Sequence, residues 1–236
     1  MSKGQDMRGR RRVWVGAGVA LVVVAVLAVV SVLDTGRDTS AGGRNPTAVT
    51  QAGVATARRI PGDPLALGSP TAPVVIVEWG DFQCPFCGAF ARDTQPALLA
   101  QYVDTGKARV EWRDFAYLGP ESSAAAVADR AAGRQGKFWA YHDALYARQY
   151  PENTGALSSG YLLGLARQVG LDLGRFQADL ADPSLARQVQ ADRAQGSSLG
   201  VVGVPTVLIN GGLMYGDQPL PLYQQAIDAA LTDATR

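Results

Sequence analysis

The sequence predicts an α/β domain with the order βαβ, helical insert, ββα, set behind one membrane-spanning segment. Three observations carry that prediction. A continuous apolar run at residues 74–77 (Val-Val-Ile-Val) leads through a helical pattern into an alternating stretch at residues 108–115. Residues 122–198 then read as helix almost throughout. The chain returns to strand at residues 206–209, turns at Asn210-Gly211 and closes on an apolar helical pattern at residues 222–231.

The amino-terminal segment reads in three parts. Residues 1–12 form a basic tail containing Lys3, Arg8, Arg10, Arg11 and Arg12. Residues 13–33 carry no charge, and about 20 apolar residues at a rise of about 1.5 Å span a hydrocarbon core. The basic flank holds the amino terminus in the cytoplasm and sends the remainder outward. A cleaved signal peptide is the competing reading. Its apolar region is shorter, and no small-x-small cleavage site follows Leu33, so an uncleaved anchor is preferred. The Arg pair before Val13 is a weak echo of a twin-arginine signal. Residues 34–59, rich in Gly, Thr, Ala, Ser and Arg, read as a flexible tether about 30 Å in random-coil span.

The folded domain is expected over residues 60–236. Turn residues at 61–64 and 68–70 open it. The run at residues 74–79 is apolar except for Glu78, which suggests burial on both faces at the centre of a sheet. A helix is expected over residues 84–103, kinked at Pro96 and stopped near Gly106. Residues 108–115 alternate like a half-buried strand, and strand–helix–strand gives a parallel pair. Helical segments follow at 124–132, 137–148, 161–169, 173–180 and 183–195. Asn210-Gly211 signals a hairpin between the last two strands. Charge argues against nucleic acid: residues 1–59 carry a net +6, whereas residues 60–236 carry −5 and no basic stripe.

The chemistry centres on Cys84-Pro85-Phe86-Cys87, which holds both cysteines of the chain. Only the thiolate attacks, and a cysteine at a helix start can be lowered well below its ordinary value by the helix's free N–H groups and dipole. Cys84 is expected at the exposed tip, with Cys87 one turn inward. Zinc wants four ligands, and two cysteines with the single histidine, His142, fall short, so no metal or cofactor is expected. A structural disulfide over two intervening residues constrains little chain, and inert thiols do not suit an oxidising compartment. Thiol–disulfide exchange is the reading that remains. Glu78 lies six residues before Cys84. It is either a buried proton relay to Cys87 or a strand-end residue reaching solvent. Asp81 reads as a solvated charge or a helix cap, and His142 as structural. Pro205 opens a strand, where an ordinary trans proline is the common case.

Three stretches together resemble the DsbA-like thiol-disulfide oxidoreductases: residues 82–87, residues 133–143 (Gly-Arg-Gln-Gly-Lys-Phe-Trp-Ala-Tyr-His-Asp) and residues 200–206 (Gly-Val-Val-Gly-Val-Pro-Thr). The likeness runs from about residue 64 to residue 231 and is similar to membrane-bound members in Gram-positive bacteria. It implies a thioredoxin fold with a helical insert, Cys84 as nucleophile, Cys87 as its partner and Pro205 as a cis-proline facing them. It favours the relay role for Glu78. Val204, through its backbone, and Phe86 are then the residues expected to meet substrate. The implied partners are exported cysteine-containing proteins and a quinone-linked membrane reoxidant of the DsbB or VKOR type. One departure is Phe86, where the best-known oxidants carry histidine, so a reductase or isomerase direction stays open. A non-catalytic peptide-binding or chaperone module is the third reading.

Overall fold

The computed structural model describes residues 56–236. The basic tail, the apolar segment at 13–33 and the tether up to residue 55 lie outside the described residues. Among the described residues no helix is long and apolar enough to cross a membrane.

The sheet has five strands in the order β1-β3-β2-β4-β5. β2 (Val74–Gly80) lies at its centre, and all seven of its residues are buried. It runs parallel to β3 (Ala108–Asp114) and antiparallel to β4 (Thr206–Ile209). β5 (Gly212–Tyr215) forms one edge by the expected hairpin. Asn210 and Gly211 take φ of 41° and 104°, the positive values a tight hairpin turn requires. The other edge is β1 (Ala66–Leu67), paired antiparallel with β3. Two residues carry no readable period, and β1 was not anticipated.

The helix after β2, α1, is continuous but changes winding: α-helical at Pro85–Ala89 and Gln95–Leu98, π-helical at Phe90–Thr94 and Leu99–Val103. The disturbance expected at Pro96 takes this form. Proline has no N–H and crowds the carbonyl four residues back; the wider π turn just before it lets Gln95 N–H reach Phe90 O instead. The insert consists of α2 (Pro120–Gly133), α3 (Phe138–Tyr146), α4 (Ser159–Gln168), α5 (Leu173–Leu180) and α6 (Pro183–Ser198). Helix α7 (Leu220–Ala234) closes the chain. Apolar side chains from β2 feed two cores. Val74 and Ile76 pack with Phe90 and Leu98 of α1 and with Tyr223 and Ile227 of α7. Val75, Val77 and Trp79 join a larger core that includes the insert.

β3 departs from the half-buried strand its alternation suggests, because all seven of its residues are buried. Its polar residues are enclosed with their partners. Glu111 accepts from Arg109 Nε at 2.9 Å and from Arg113 Nη2 at 2.7 Å. The backbone N–H groups of Arg58 and Arg59 donate to it at 2.9 and 2.8 Å. Composition placed those two residues in the tether, yet they are fastened to the domain. The Arg59 side chain also donates to the carbonyls of Pro70 and Ala72. A second buried network joins Arg130 of α2 to Asp114 of β3 and Asp192 of α6, and Arg58 bonds Asp192 as well. Buried charges of this kind persist only when paired and hydrogen-bonded.

Gly80 ends β2 against the Trp112 ring: a Cβ there would lie 2.2 Å from a ring atom. Trp112 is fully buried, and its Nε1–H donates to Asp114 at 2.9 Å. Gly80→Ala therefore overpacks a site that cannot yield. It should destabilise the protein by about 1–3 kcal/mol in chemical denaturation, and an unchanged midpoint would contradict this packing.

Candidate active site

Burial of β2 on both faces drives its carboxyl end into the middle of the molecule, and the chain turns there through residues 81–83 into α1. Cys84 caps α1 with extended backbone (φ −73°, ψ 120°). Its N–H donates to Asp81 O at 3.0 Å. Cys84 Sγ donates to the carbonyl of Val204 at 3.3 Å. The Val204–Pro205 peptide bond is cis, and Pro205 is buried against the same region. Sequence motifs 120 residues apart thus meet as the resemblance implied.

Cys84 is not the exposed tip that the sequence suggested. It is 4% exposed and Cys87 is fully buried, because the Val204 turn covers the first sulfur and α1 itself covers the second. Phe86, at 62%, is the exposed member of the motif. The Val204 carbonyl, expected to be free for a peptide, is engaged by the Cys84 thiol in this dithiol state.

The two sulfurs differ sharply. Cys84 is drawn down from 9.0 to about 7, chiefly because the Cys87 thiol donates a hydrogen bond to its sulfur. Burial opposes this, the N–H groups of Cys87 and Phe86 add to it, and the charge of Asp81 opposes it. The helix-start argument accounts only for the N–H contribution; the larger cause is the neighbouring thiol. Cys87 is pushed well above its ordinary value, first by burial and then by the hydrogen bond it makes to Cys84. Glu78 is buried, not solvent-facing. Gln95 Nε2 donates to its Oε2 at 3.0 Å, while Oε1 has no partner among the described residues. Burial lifts it from 4.5 to about 8, and its charge acts on Cys87.

Asp81 is likewise not a solvated charge, nor does its side chain cap α1. It is 1% exposed and accepts four hydrogen bonds: from Gln83 N–H and the Ser122 hydroxyl on Oδ1, and from the N–H groups of Tyr117 and Leu118 on Oδ2. Gln83 and Ser122, to which the sequence assigns no role, belong to this arrangement. The Asp-x-Gln spacing of an Asx turn was the available signal. His142 is fully buried among aromatic rings, 4.9 Å from Tyr146 and 5.0 Å from Trp112 between centroids, and burial lowers it. Its place is in the core beside the site.

Comparison with known proteins agrees with this geometry. Residues 61–229 match the family model described as Thioredoxin. The chain is 31% identical over 170 residues to the probable disulfide bond formation protein D of Bacillus cereus, covering 70% of this chain and 78% of that relative. It is 37% identical over 169 residues to the Na(+)/H(+) antiporter NhaA 1 of Salinispora arenicola, where the match spans 71% of this chain but only 24% of the relative. Among solved structures, oxidised BdbD from Bacillus subtilis superposes with a TM-score of 0.67 at 25% identity, covering 72% of this chain and 94% of that one. A thioredoxin-like oxidoreductase from Silicibacter pomeroyi gives 0.62 at 32% identity, covering 73% and 94%.

Two expectations follow from the titration behaviour. Cys87→Ala removes the chief donor to Cys84, so the Cys84 ionisation midpoint, read by thiolate absorbance, should climb from about 7 toward 9.0. Cys87→Ser keeps an O–H donor and should stay near the lower value; equal midpoints in the two variants would contradict the assignment. Glu78 binds its proton more tightly folded than unfolded. Its contribution to stability is fully present below about pH 4.5 and is lost as pH rises through about 8. Urea denaturation should therefore show Glu78→Gln gaining on the wild type between pH 5 and pH 8, by on the order of a few kcal/mol. Parallel stability profiles would show that Glu78 titrates normally.

Proposed function

The chain belongs to the thioredoxin-fold family of DsbA-like thiol-disulfide oxidoreductases, and from that premise we propose that it introduces disulfides into exported proteins through Cys84 and Cys87. The carrying observation is the asymmetry of the dithiol: one sulfur drawn down to about 7, the other buried beneath it and pushed up.

In the oxidised enzyme a substrate thiolate attacks Cys84 Sγ. The new S–S bond forms as the Cys84–Cys87 bond breaks, and the electron pair passes to Cys87. Cys87 is deep in protein and cannot hold that charge cheaply, so it takes a proton. We assign the supply of that proton to Glu78, protonated at neutral pH with its value near 8; its charge effect on Cys87 supports the reading. A second substrate thiolate then attacks the substrate's own sulfur in the mixed disulfide and releases Cys84 as a thiolate. The substrate leaves oxidised by two electrons, and the enzyme is left as the dithiol. Cys84 serves as leaving group because its thiolate is stabilised.

The reading extends to an extracytoplasmic domain tethered through residues 34–59 to a membrane anchor at 13–33, with the amino terminus cytoplasmic. What supports it is the uncharged 21-residue run behind a basic tail, together with the need for an oxidising compartment. A dithiol left by each turnover needs reoxidation, for which a quinone-linked membrane protein of the DsbB or VKOR type is the proposed partner.

One observation favours a second reading, disulfide reduction or isomerisation. A Cys84 value near 7 matches the roughly 7 of thioredoxin rather than the roughly 3.5 of DsbA. Equilibration in glutathione buffers discriminates. The oxidant reading expects a potential above that of glutathione, and a value near thioredoxin's, about −270 mV, would reverse the direction. Expressed in cells, Cys87→Ala should accumulate mixed disulfides on Cys84 with exported cysteine-containing proteins; recovery of none would count against a folding role.

A further inference from the structure

The carboxylate of Asp81 is fully enclosed, carries four donors and takes no part in the exchange steps above. Its partners come from three directions. Gln83 N–H lies in its own loop, at 2.9 Å. The N–H groups of Tyr117 and Leu118, at 2.9 and 3.1 Å, belong to the connection from β3 into the insert. The Ser122 hydroxyl, at 2.6 Å, lies in the first turn of α2. Ser122 in turn accepts from Gln83 Nε2 at 2.8 Å, which defines the direction of its own O–H toward Asp81. Gln83 Oε1 accepts from Asn153 N–H at 2.7 Å, and this draws in the loop between α3 and α4. On its backbone side Asp81 accepts the N–H of Cys84 at 3.0 Å. Four donors converge on the two carboxylate oxygens with no competing acceptor beside them.

We propose that Asp81 is a positioning residue for the exchange reaction: it clasps the dithiol loop to the entrance of the helical insert and holds a fixed negative charge beside Cys84. The proposal rests on exchange through Cys84 as read above. A buried carboxylate in the same loop is an unfavourable neighbour for the Cys84 thiolate, and its charge acts on Cys84 in that sense, behind the larger effects of the Cys87 thiol and of burial. The clasp therefore holds the loop in shape at the expense of oxidising strength. The other ionisable groups facing Cys84 are Cys87 on α1, Tyr117 in the β3–α2 connection and Tyr146 on α3. Both tyrosines are shifted upward and stay neutral through the range in which Cys84 titrates.

Charge and scaffold make opposite predictions, which renders the idea testable. If Asp81 were only a scaffold, Asp81→Asn would loosen the loop, weaken the bonds to the Cys84 sulfur and raise its ionisation midpoint. With the charge acting as proposed, Asp81→Asn lowers that midpoint by about 0.5–1 pH unit. It also shifts the glutathione equilibrium at pH 7 by roughly two- to fivefold toward the reduced enzyme. A midpoint that rises or stays put overturns the proposal. Should Asp81→Asn fail to fold, Ser122→Ala tests the clasp: with one of the four donors gone, the Tyr117 and Leu118 N–H groups should exchange with deuterium several-fold faster, and unchanged exchange there overturns the proposal. Both shifts are read against the wild type. A wild-type potential near thioredoxin's would therefore overturn the proposed direction of electron flow without affecting this result.

Discussion

Two sulfurs one helical turn apart sit in unequal surroundings, and the rest of the site depends on that inequality. Cys87 is cut off from water, so its thiol is held in the neutral form and points a hydrogen bond at Cys84. Cys84 then carries whatever negative charge the pair supports. Neither condition is a property of cysteine at this spacing. Both follow from a central strand buried on both faces that ends where the two sulfurs are covered, although Phe86 between them is exposed. Glu78 is enclosed by the same strand, and for the same reason it holds its proton to a pH where carboxyl groups are ordinarily ionised.

Holding a charged loop in such a place demands polar partners. The structure meets this with compact buried networks. Glu111 gathers two arginine side chains and two backbone N–H groups, so residues 58 and 59 close over β3 as part of the domain. Asp114, Arg130 and Asp192 tie β3 to the insert on one side, and Asp81 ties the dithiol loop to it on the other. The insert is thereby an integral wall of the site. Its aromatic residues Phe138, His142 and Tyr146 pack against Trp112 of β3 and against Phe82, two residues before the first cysteine.

Legibility varied with how local the controlling physics was. β2 was readable because a continuous apolar run at residues 74–77, resumed at Trp79, has few other outcomes, and the hairpin was readable because Asn-Gly tolerates two successive positive φ angles. The order of elements and the meeting of Cys84 with Val204-Pro205 followed from the three motifs taken together. β3 was misread: alternating Arg-Val-Glu-Trp-Arg looks like one wet face until the segment at residues 56–60 and α6 are folded over it. The π stretches in α1 left no sequence signal beyond Pro96. A loop carboxylate beside a helix start is normally wet or a cap, so sequence alone points Asp81 to one of those two. Its four donors lie up to 41 residues away.

By itself the sequence determined the fold class, the placement of a dithiol at a helix start, and the chemistry two such thiols can perform. Those properties rest on hydrophobic period, turn residues and reactive groups that belong to short stretches of chain. Only the tertiary structure decided that Cys84 is covered, that Cys87 donates to it, that Glu78 is desolvated and that Asp81 is fixed alongside. Ionisation energies depend on what surrounds a group, and here the surroundings come from β2, the insert and a turn 120 residues away.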